Sequence, residues 1–207
     1  MAWIGERAEQ VADGAVDPAE DNMLRISYHG RCAALDPRLV IDPDPSVNIS
    51  PGRKLDHVAD RILAVWRETC DQRFPEVHGD GISPRRGGLQ LVFCDLGTPG
   101  KSPDRFSAYT ELKQLLVDGG IPHDQVRFIH EAGNDMEKAR MFAAARDGRI
   151  AVLFGSTEKM GVGTNVQHRA VALHHVDPPW RPADVAQRDG RIVRQGNCNS
   201  EVKLGLA

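Results

Sequence analysis

The second half of the chain alternates between short apolar runs and amphipathic stretches, and few folds accommodate that pattern. The runs are "LQLVFCDL" (89–96), "VRFIHE" (126–131), "RIAVLFGS" (149–156) and "RAVALHHVD" (169–177). Between and after them come "SPDRFSAYTELKQLLVDGG" (102–120), "NDMEKARMFAAARDG" (134–148) and "PADVAQRDGRIVRQG" (182–196), each with helical spacing of its apolar residues. Strands that are apolar nearly throughout, rather than at every second residue, belong to a sheet covered on both faces. With right-handed crossovers, the alternation gives an α/β fold, a three-layer αβα sandwich with a mainly parallel sheet. In such folds ligands gather at the carboxyl ends of the strands. Three segments fall there: "CDLGTPGKS" (94–102), "GSTEKMGVGTN" (155–165) and "DPPWRP" (177–182).

The remaining sequence divides in two. Residues 1–50 read as an accessory N-terminal segment, with a short amphipathic helix in "WIGERAEQVADG" (3–14). A strand turning into a helix follows in "MLRISYHGRCAALDPRLV" (23–40), and then a loop in "IDPDPSVNISPG" (41–52). Residues 51–207 form the main domain. It opens on a helix carrying Leu55, Val58, Ile62, Val65 and Trp66, followed by a flexible insertion at about 74–89 that is rich in Gly, Pro and charge. A chain of 207 residues buries roughly 70% of its unfolded surface, so it needs no disulfide staple. Its four cysteines are scattered without a C-x-x-C pair, as expected of reduced thiols in a cytoplasmic protein with no metal site. No apolar run reaches membrane length, and the N-terminus lacks a signal-peptide core. The formal net charge of -3 requires any nucleic-acid contact to come from a local patch.

The last helical stretch carries the densest chemistry. Pro182 suits its first turn, Asp184 complements the positive helix end, and Gly196 closes it. At 100° per residue Val185, Ile192 and Val193 share one side, while Gln187, Arg191 and Arg194 share the other. Gly190, expected inside the helix, marks a close approach there. Just before it, Asp177-Pro178-Pro179-Trp180 spells the tetrad with which DNA adenine methyltransferases grip a flipped base. No cofactor-binding glycine motif accompanies it, and the arginine helix would then have no role. Trp180 is instead expected to pack under that helix. His174 and His175, adjacent on a strand, point to opposite faces and cannot share a metal. "GTPGKS" is not a P-loop, because the required glycine is Asp95.

"QRDGRIVRQGN" (187–197) resembles motif VI of superfamily-2 helicases, Q-x-x-G-R-x-x-R-x-G-[QN]. "GSTEKMGVGTNVQ" (155–167) resembles motif V, especially its form in Swi/Snf-type translocases, and "LQLVFCDL" resembles the strand of motif IV. Order and spacing agree over roughly residues 53–203, and the pattern is similar to that of large phage and plasmid helicase-methyltransferase proteins. The resemblance implies the C-terminal RecA-like lobe of such a helicase, stopping short at its C-terminus soon after motif VI.

The resemblance also implies roles. Arg191 and Arg194 would reach the γ-phosphate of ATP, with Gln187 positioning the same phosphates. Gly161, Gly163 and Asn165 would turn the backbone beside the nucleotide. Ser156, Thr157, Lys159 and Thr98 would contact the nucleic-acid backbone, giving grip without sequence specificity. ATP, with Mg2+, would be held by an N-terminal RecA-like lobe, in cis or in trans, because neither a P-loop nor a D-E-x-[HD] segment occurs in the 207 residues. The favoured expectation is the second motor lobe of an ATP-dependent DNA helicase or translocase, inactive alone. The alternatives are a non-catalytic nucleic-acid-binding or regulatory remnant of such a motor and, a distant third, a methyltransferase fragment.

Overall fold

A computed structural model describes residues 2–40, 53–100, 106–161 and 165–206. The chain separates into two units, residues 1–51 and 52–207. The first contains α1 (Ala2–Ala12) and α2 (Met23–Leu35). The strand expected within residues 23–40 is not formed. Asn22 caps α2 by accepting from the Arg25 N–H at 3.0 Å, and Ile26, Cys32 and Leu35 are buried at helical spacing. Cap and spacing together outweigh the β-propensity of Ile26 and Tyr28. Arg7 holds Asp21 with two hydrogen bonds, of 2.6 and 2.7 Å, and lies over the Trp3 ring. The loop expected at 41–52 lies outside the described residues.

The second unit begins with α3 (Lys54–Thr69), which buries Leu55, Val58, Ile62 and Val65 as its spacing requires. The stretch expected to be a flexible insertion is a hairpin, β1 (Arg73–Pro75) antiparallel to β2 (Ile82–Arg86). Its glycines and prolines obscure an anchor: Phe74 is 1% exposed and packs against Val65 and Val171. The main sheet follows with β3 (Leu89–Phe93), β4 (Val126–Phe128), β5 (Val152–Gly155), β6 (Ala170–His175) and β7 (Lys203–Leu206), in the order β4-β5-β3-β6-β7. Every pairing in it is parallel. The α/β three-layer expectation therefore holds.

Alternate residues of β3 divide the core. Leu89, Leu91 and Phe93 join Leu153, Leu173, Ile192 and the buried side of α5 (Asp135–Arg146). Gln90 points the other way and donates to the Ile62 carbonyl of α3 at 3.0 Å. On that side α3 packs against α4 (Ala108–Asp118), which is capped by Ser107. Gly155 closes β5 where no larger residue fits, since a Cβ there would lie 2.3 Å from Met160 Cγ. That glycine lets α6 (Thr157–Gly161) sit directly on the strand end.

The final helix is shorter than expected. α7 runs only from Pro182 to Asp189, and Gly190 is its C-cap rather than a mid-helix contact. The chain then tightens into turns, with the Arg191 N–H bonded to the Arg188 carbonyl at 2.9 Å and Ile192 N–H to Asp189 at 3.1 Å. Glycine is the weakest helix former after proline, which explains the early stop.

Candidate functional site

Three strand ends meet above the sheet, and one buried arginine joins them. Asp95 follows β3, Thr157 follows β5 and Asp177 follows β6. The Asp95 carboxylate accepts from the Thr157 backbone N–H at 2.6 Å and from the Thr157 hydroxyl at 2.9 Å. Its own N–H donates to the Asp177 carboxylate at 2.9 Å. Arg188, on the inner side of α7, is 1% exposed. It donates to Asp95 Oδ2 at 2.7 Å, to Thr157 Oγ1 at 2.9 Å and to the Asp177 carbonyl at 3.0 Å. The guanidinium carbon lies 5.3 Å from the centre of the Phe93 ring. A buried charge is tolerable only when paired and hydrogen-bonded, and Arg188 is both.

His175 completes the cluster. Its Nδ1 lies 3.4 Å from Arg188 Nη1, which can only donate, so Nδ1 accepts and Nε2–H donates to Asp189 at 2.8 Å. The adjacent His174 faces the opposite side of the sheet, 2.8 Å from Gln90 Oε1, as strand geometry requires. Burial pushes the His174 imidazole down to about 4, so it is neutral in the fold. With its carboxylate accepting from the Asp95 N–H and its carbonyl from Arg188, Asp177 is committed to the fold. Trp180, expected under α7, is 65% exposed, because α7 is held by Arg188 and Ile192 instead.

Beside this cluster lies a cleft of about 760 Å³, lined by Thr98, Ser156, Thr157, Lys159, Gln187 and Arg191, with Asp95, His130 and Glu158. Six expected site residues thus share one wall. Ser156 accepts from the Lys159 N–H at 3.2 Å, while the Thr157 hydroxyl is already shared between Asp95 and Arg188. Burial lowers the Arg191 pKa, and the nearby charge of Arg194 lowers it further. Arg194 is exposed and does not line the cleft. Asn165 also stands apart, exposed, with its carbonyl accepting from Arg146 at 2.7 Å. Gly161 ends α6, whereas Gly163 lies outside the described residues.

Asp95, Arg188 and His130 escaped the sequence reading. Arg188 had a signal: it follows Val185 by three residues and precedes Ile192 by four, which places it on the apolar stripe. His130 sits edge-on to Tyr109, and its Nδ1 is buried without a partner among the described residues. Burial and the neighbouring Lys159 charge lower its pKa, which favours the neutral ring. The cleft is therefore a surface of hydroxyl, amide, ammonium and guanidinium donors suited to anionic oxygens. Of the two carboxylates that line it, Asp95 is paired with Arg188 at 2.7 Å and Glu158 is exposed. Among the described residues no three His, Cys, Asp or Glu side chains come together to hold a metal ion. None of the described helices is long and apolar enough to cross a membrane.

Residues 85–196, more than half of the chain, match the helicase conserved C-terminal domain family. The Defense against restriction protein B of Escherichia phage P1 is 32% identical over 65 residues, which are 31% of this chain and 3% of that protein. Among solved structures, the E. coli DEAD-box protein SrmB shares 18% identity at a TM-score of 0.46, covering 74% of this chain and 71% of that one. The C-terminal part of the Fun30 ATPase domain shares 14% identity at a TM-score of 0.47, covering 88% and 49%. The ATP-dependent type ISP restriction-modification enzyme LlaBIII shares 12% at 0.44, covering 86% and 11%.

Proposed function

The chain belongs to the helicase conserved C-terminal domain family and has the αβα fold described above, and from that premise we propose that it is a superfamily-2 motor lobe, the second lobe of an ATP-dependent DNA helicase or translocase working in the cytoplasm. The observation that carries this reading is the shared cleft wall. Gln187 and Arg191 from α7 and its following turn stand beside Ser156 and Lys159 from the end of β5, joined through Arg188, Asp95 and Thr157.

In this role Arg191 and Arg194 reach the γ-phosphate of ATP bound to an N-terminal RecA-like lobe, and Gln187 orients the same phosphates. Two permanently charged planar forks stabilise charge on a phosphoryl group in flight, an effect worth about 10³–10⁵ in rate in well-studied NTPases. Mg2+ belongs to the first lobe in this scheme, which fits a cleft in which the Asp95 carboxylate is taken up by Arg188 and Thr157. Gly161, Gly163 and Asn165 shape the loop between nucleotide and nucleic acid. Ser156, Lys159 and Thr98 grip phosphate oxygens of the DNA, with Thr157 contributing through its position beside them. Closure of the two lobes on ATP and reopening after hydrolysis would step the motor.

The test joins this chain to a P-loop-bearing first lobe and follows ATP turnover with and without DNA. DNA-stimulated turnover that falls by about 10³ or more in Arg191→Ala is the expected result. Turnover unchanged by Arg191→Ala and by Arg194→Ala contradicts the reading. Associated lobes that turn over no ATP would reduce the chain to a non-catalytic nucleic-acid-binding module.

A further inference from the structure

A second groove, of about 790 Å³, shares no lining residue with the cleft. It runs along the outer edge of the sheet, between edge strand β4 and helix α5, and reaches the segments that lead into β4 and β5. Arg85 and Arg86 at the end of the β1–β2 hairpin, Arg127 on β4, Arg140 on α5 and Arg149 before β5 all line it. Three carboxylates, Asp124, Glu131 and Glu137, line it too, and two of them are engaged locally. Glu131 is paired with Arg127, and Glu137 accepts from the Gly133 N–H at 2.8 Å. Two further carboxylates stand just outside the lining, Asp71 paired with Arg86 at 3.2 Å and Asp147 with Arg149 at 3.0 Å, so the groove is marked by five gathered guanidiniums rather than by a net charge. Exposed pairs of this kind are worth little, and a phosphodiester can take the place of the carboxylate.

The arginines are also held in place. The buried Arg169 donates to the Arg85 carbonyl at 3.4 Å and to the Ser83 hydroxyl at 3.1 Å, which fixes the hairpin end that presents Arg85 and Arg86. Arg149 is steadied by Asp147 at 3.0 Å. Among the described residues no aromatic side chain lines the groove, so they offer no platform for stacking bases. Every cation in it is a guanidinium, the group that matches a phosphodiester oxygen pair as a planar fork.

From this arrangement we infer that the groove is a second nucleic-acid site, which takes the phosphate backbone of DNA without reading its bases. It runs along the edge of the sheet, and its Arg85, Arg86 and Arg149 stand at the amino ends of the strands, away from the motif V contacts. The inference rests on the proposed function only for the nature of the polymer, and its contacts are independent of the cleft. A strand held here as well as at the cleft would be gripped at two places on one lobe, so its release would not depend on the cleft alone.

The experiment measures binding of the 207-residue chain to a fluorescein-labelled DNA duplex by anisotropy, from 50 to 200 mM salt. Wild type is compared with an Arg85→Ala/Arg86→Ala/Arg149→Ala variant, with the corresponding triple lysine variant, and with Lys159→Ala. Loss of three phosphate contacts should reduce the slope of log K against log salt by about 2.7, at ~0.9 per contact. Lysine at the same positions should restore most of that slope, because counterion release depends on charge. Lys159→Ala should cost about one contact whether or not the groove is intact.

An alanine triple variant with unchanged affinity and slope overturns the groove site, and would leave an acidic protein as the ligand class to consider. No measurable DNA binding by the wild-type chain also overturns it. If the groove variant loses slope while Lys159→Ala does not, the groove stands and the cleft assignment under the proposed function is the one that fails.

Discussion

The two ends of the parallel sheet are each built around a fully buried arginine, and the two are used differently. At the carboxyl end Arg188 meets a carboxylate, Asp95, at 2.7 Å and directs its remaining donors to Thr157, Asp177 and His175. At the amino end Arg169, 0% exposed, finds only Ser83 Oγ at 3.1 Å and two carbonyl oxygens at 3.4 and 3.5 Å. Its Nε has no partner among the described residues, and burial lowers its pKa, with the Asp147 charge opposing. Arg169 is packed against Phe74, with ring centre and guanidinium carbon 5.0 Å apart, and against Gly148, where a Cβ would lie 2.0 Å from its Nη1. Arg169 fastens a hairpin to a sheet. Arg188 ties together the loops from which the candidate chemistry projects.

The largest difference should show when each arginine is replaced by methionine, which keeps an unbranched stem without the charge. Arg188→Met leaves Asp95 and the Asp177 carbonyl without their donor, at a cost of about 3–5 kcal/mol in urea-denaturation stability. Arg169→Met removes one ordinary hydrogen bond, two long ones and no close ion pair, so about 1–2 kcal/mol is expected. Its clearest sign should be faster hydrogen exchange confined to residues 73–86. Equal losses from the two substitutions would break the comparison.

The next effect depends on pH. His174 is held neutral, at about 4 against an ordinary value near 6.5, by burial first and by the charge of Arg61. Below pH 6.5 the unfolded chain therefore binds a proton that the folded chain refuses. Stability should fall as pH drops from 6.5 toward 4, approaching ~1.4 kcal/mol per pH unit from this group, and should flatten below that range. A His174→Gln variant should lose that component of the slope, and denaturant midpoints across the range provide the check. An unchanged slope would mean that His174 titrates normally.

The smallest effect belongs to Trp180. At 65% exposure, Trp180→Ala should shift stability by no more than about 0.5 kcal/mol. A larger loss would restore the expectation that it packs under α7.

The sheet was legible in the sequence because its strands are apolar nearly throughout, and because helix starts are marked by residues such as Asn134 and Ser107. The hairpin was not. In "FPEVHGDGISPRRGG" only Phe74 and Ser83 face inward, too few for a period to show among the glycines and prolines. α2 was misread because its cap, Asn22, precedes a β-prone triplet whose burial is decided by packing.

Within the cleft, Gln187 and Arg191 could be read from helical spacing, whereas Ser156 and Lys159 came only from the resemblance to motif V. Asp95 could be read from neither, since its partners lie 62 and 93 residues away. Arg188 was obscured because an arginine on an apolar stripe looks like an exception until its carboxylate is found. The stop at Gly190 was open to a propensity argument, but the charge pattern beyond it suggested that the helix continued.

The most direct test places both methionine variants in a joined two-lobe motor and measures DNA-stimulated ATP turnover, at a temperature where circular dichroism shows each to be folded. If the carboxyl-end arginine organises the site and the amino-end arginine only fastens the hairpin, Arg188→Met should lose about 10² or more in turnover, comparable to an unseated positioning group. Arg169→Met should stay within about twofold of wild type, since its effect on folding is local. Full turnover in a folded Arg188→Met, or an equal loss in both variants, would contradict the account.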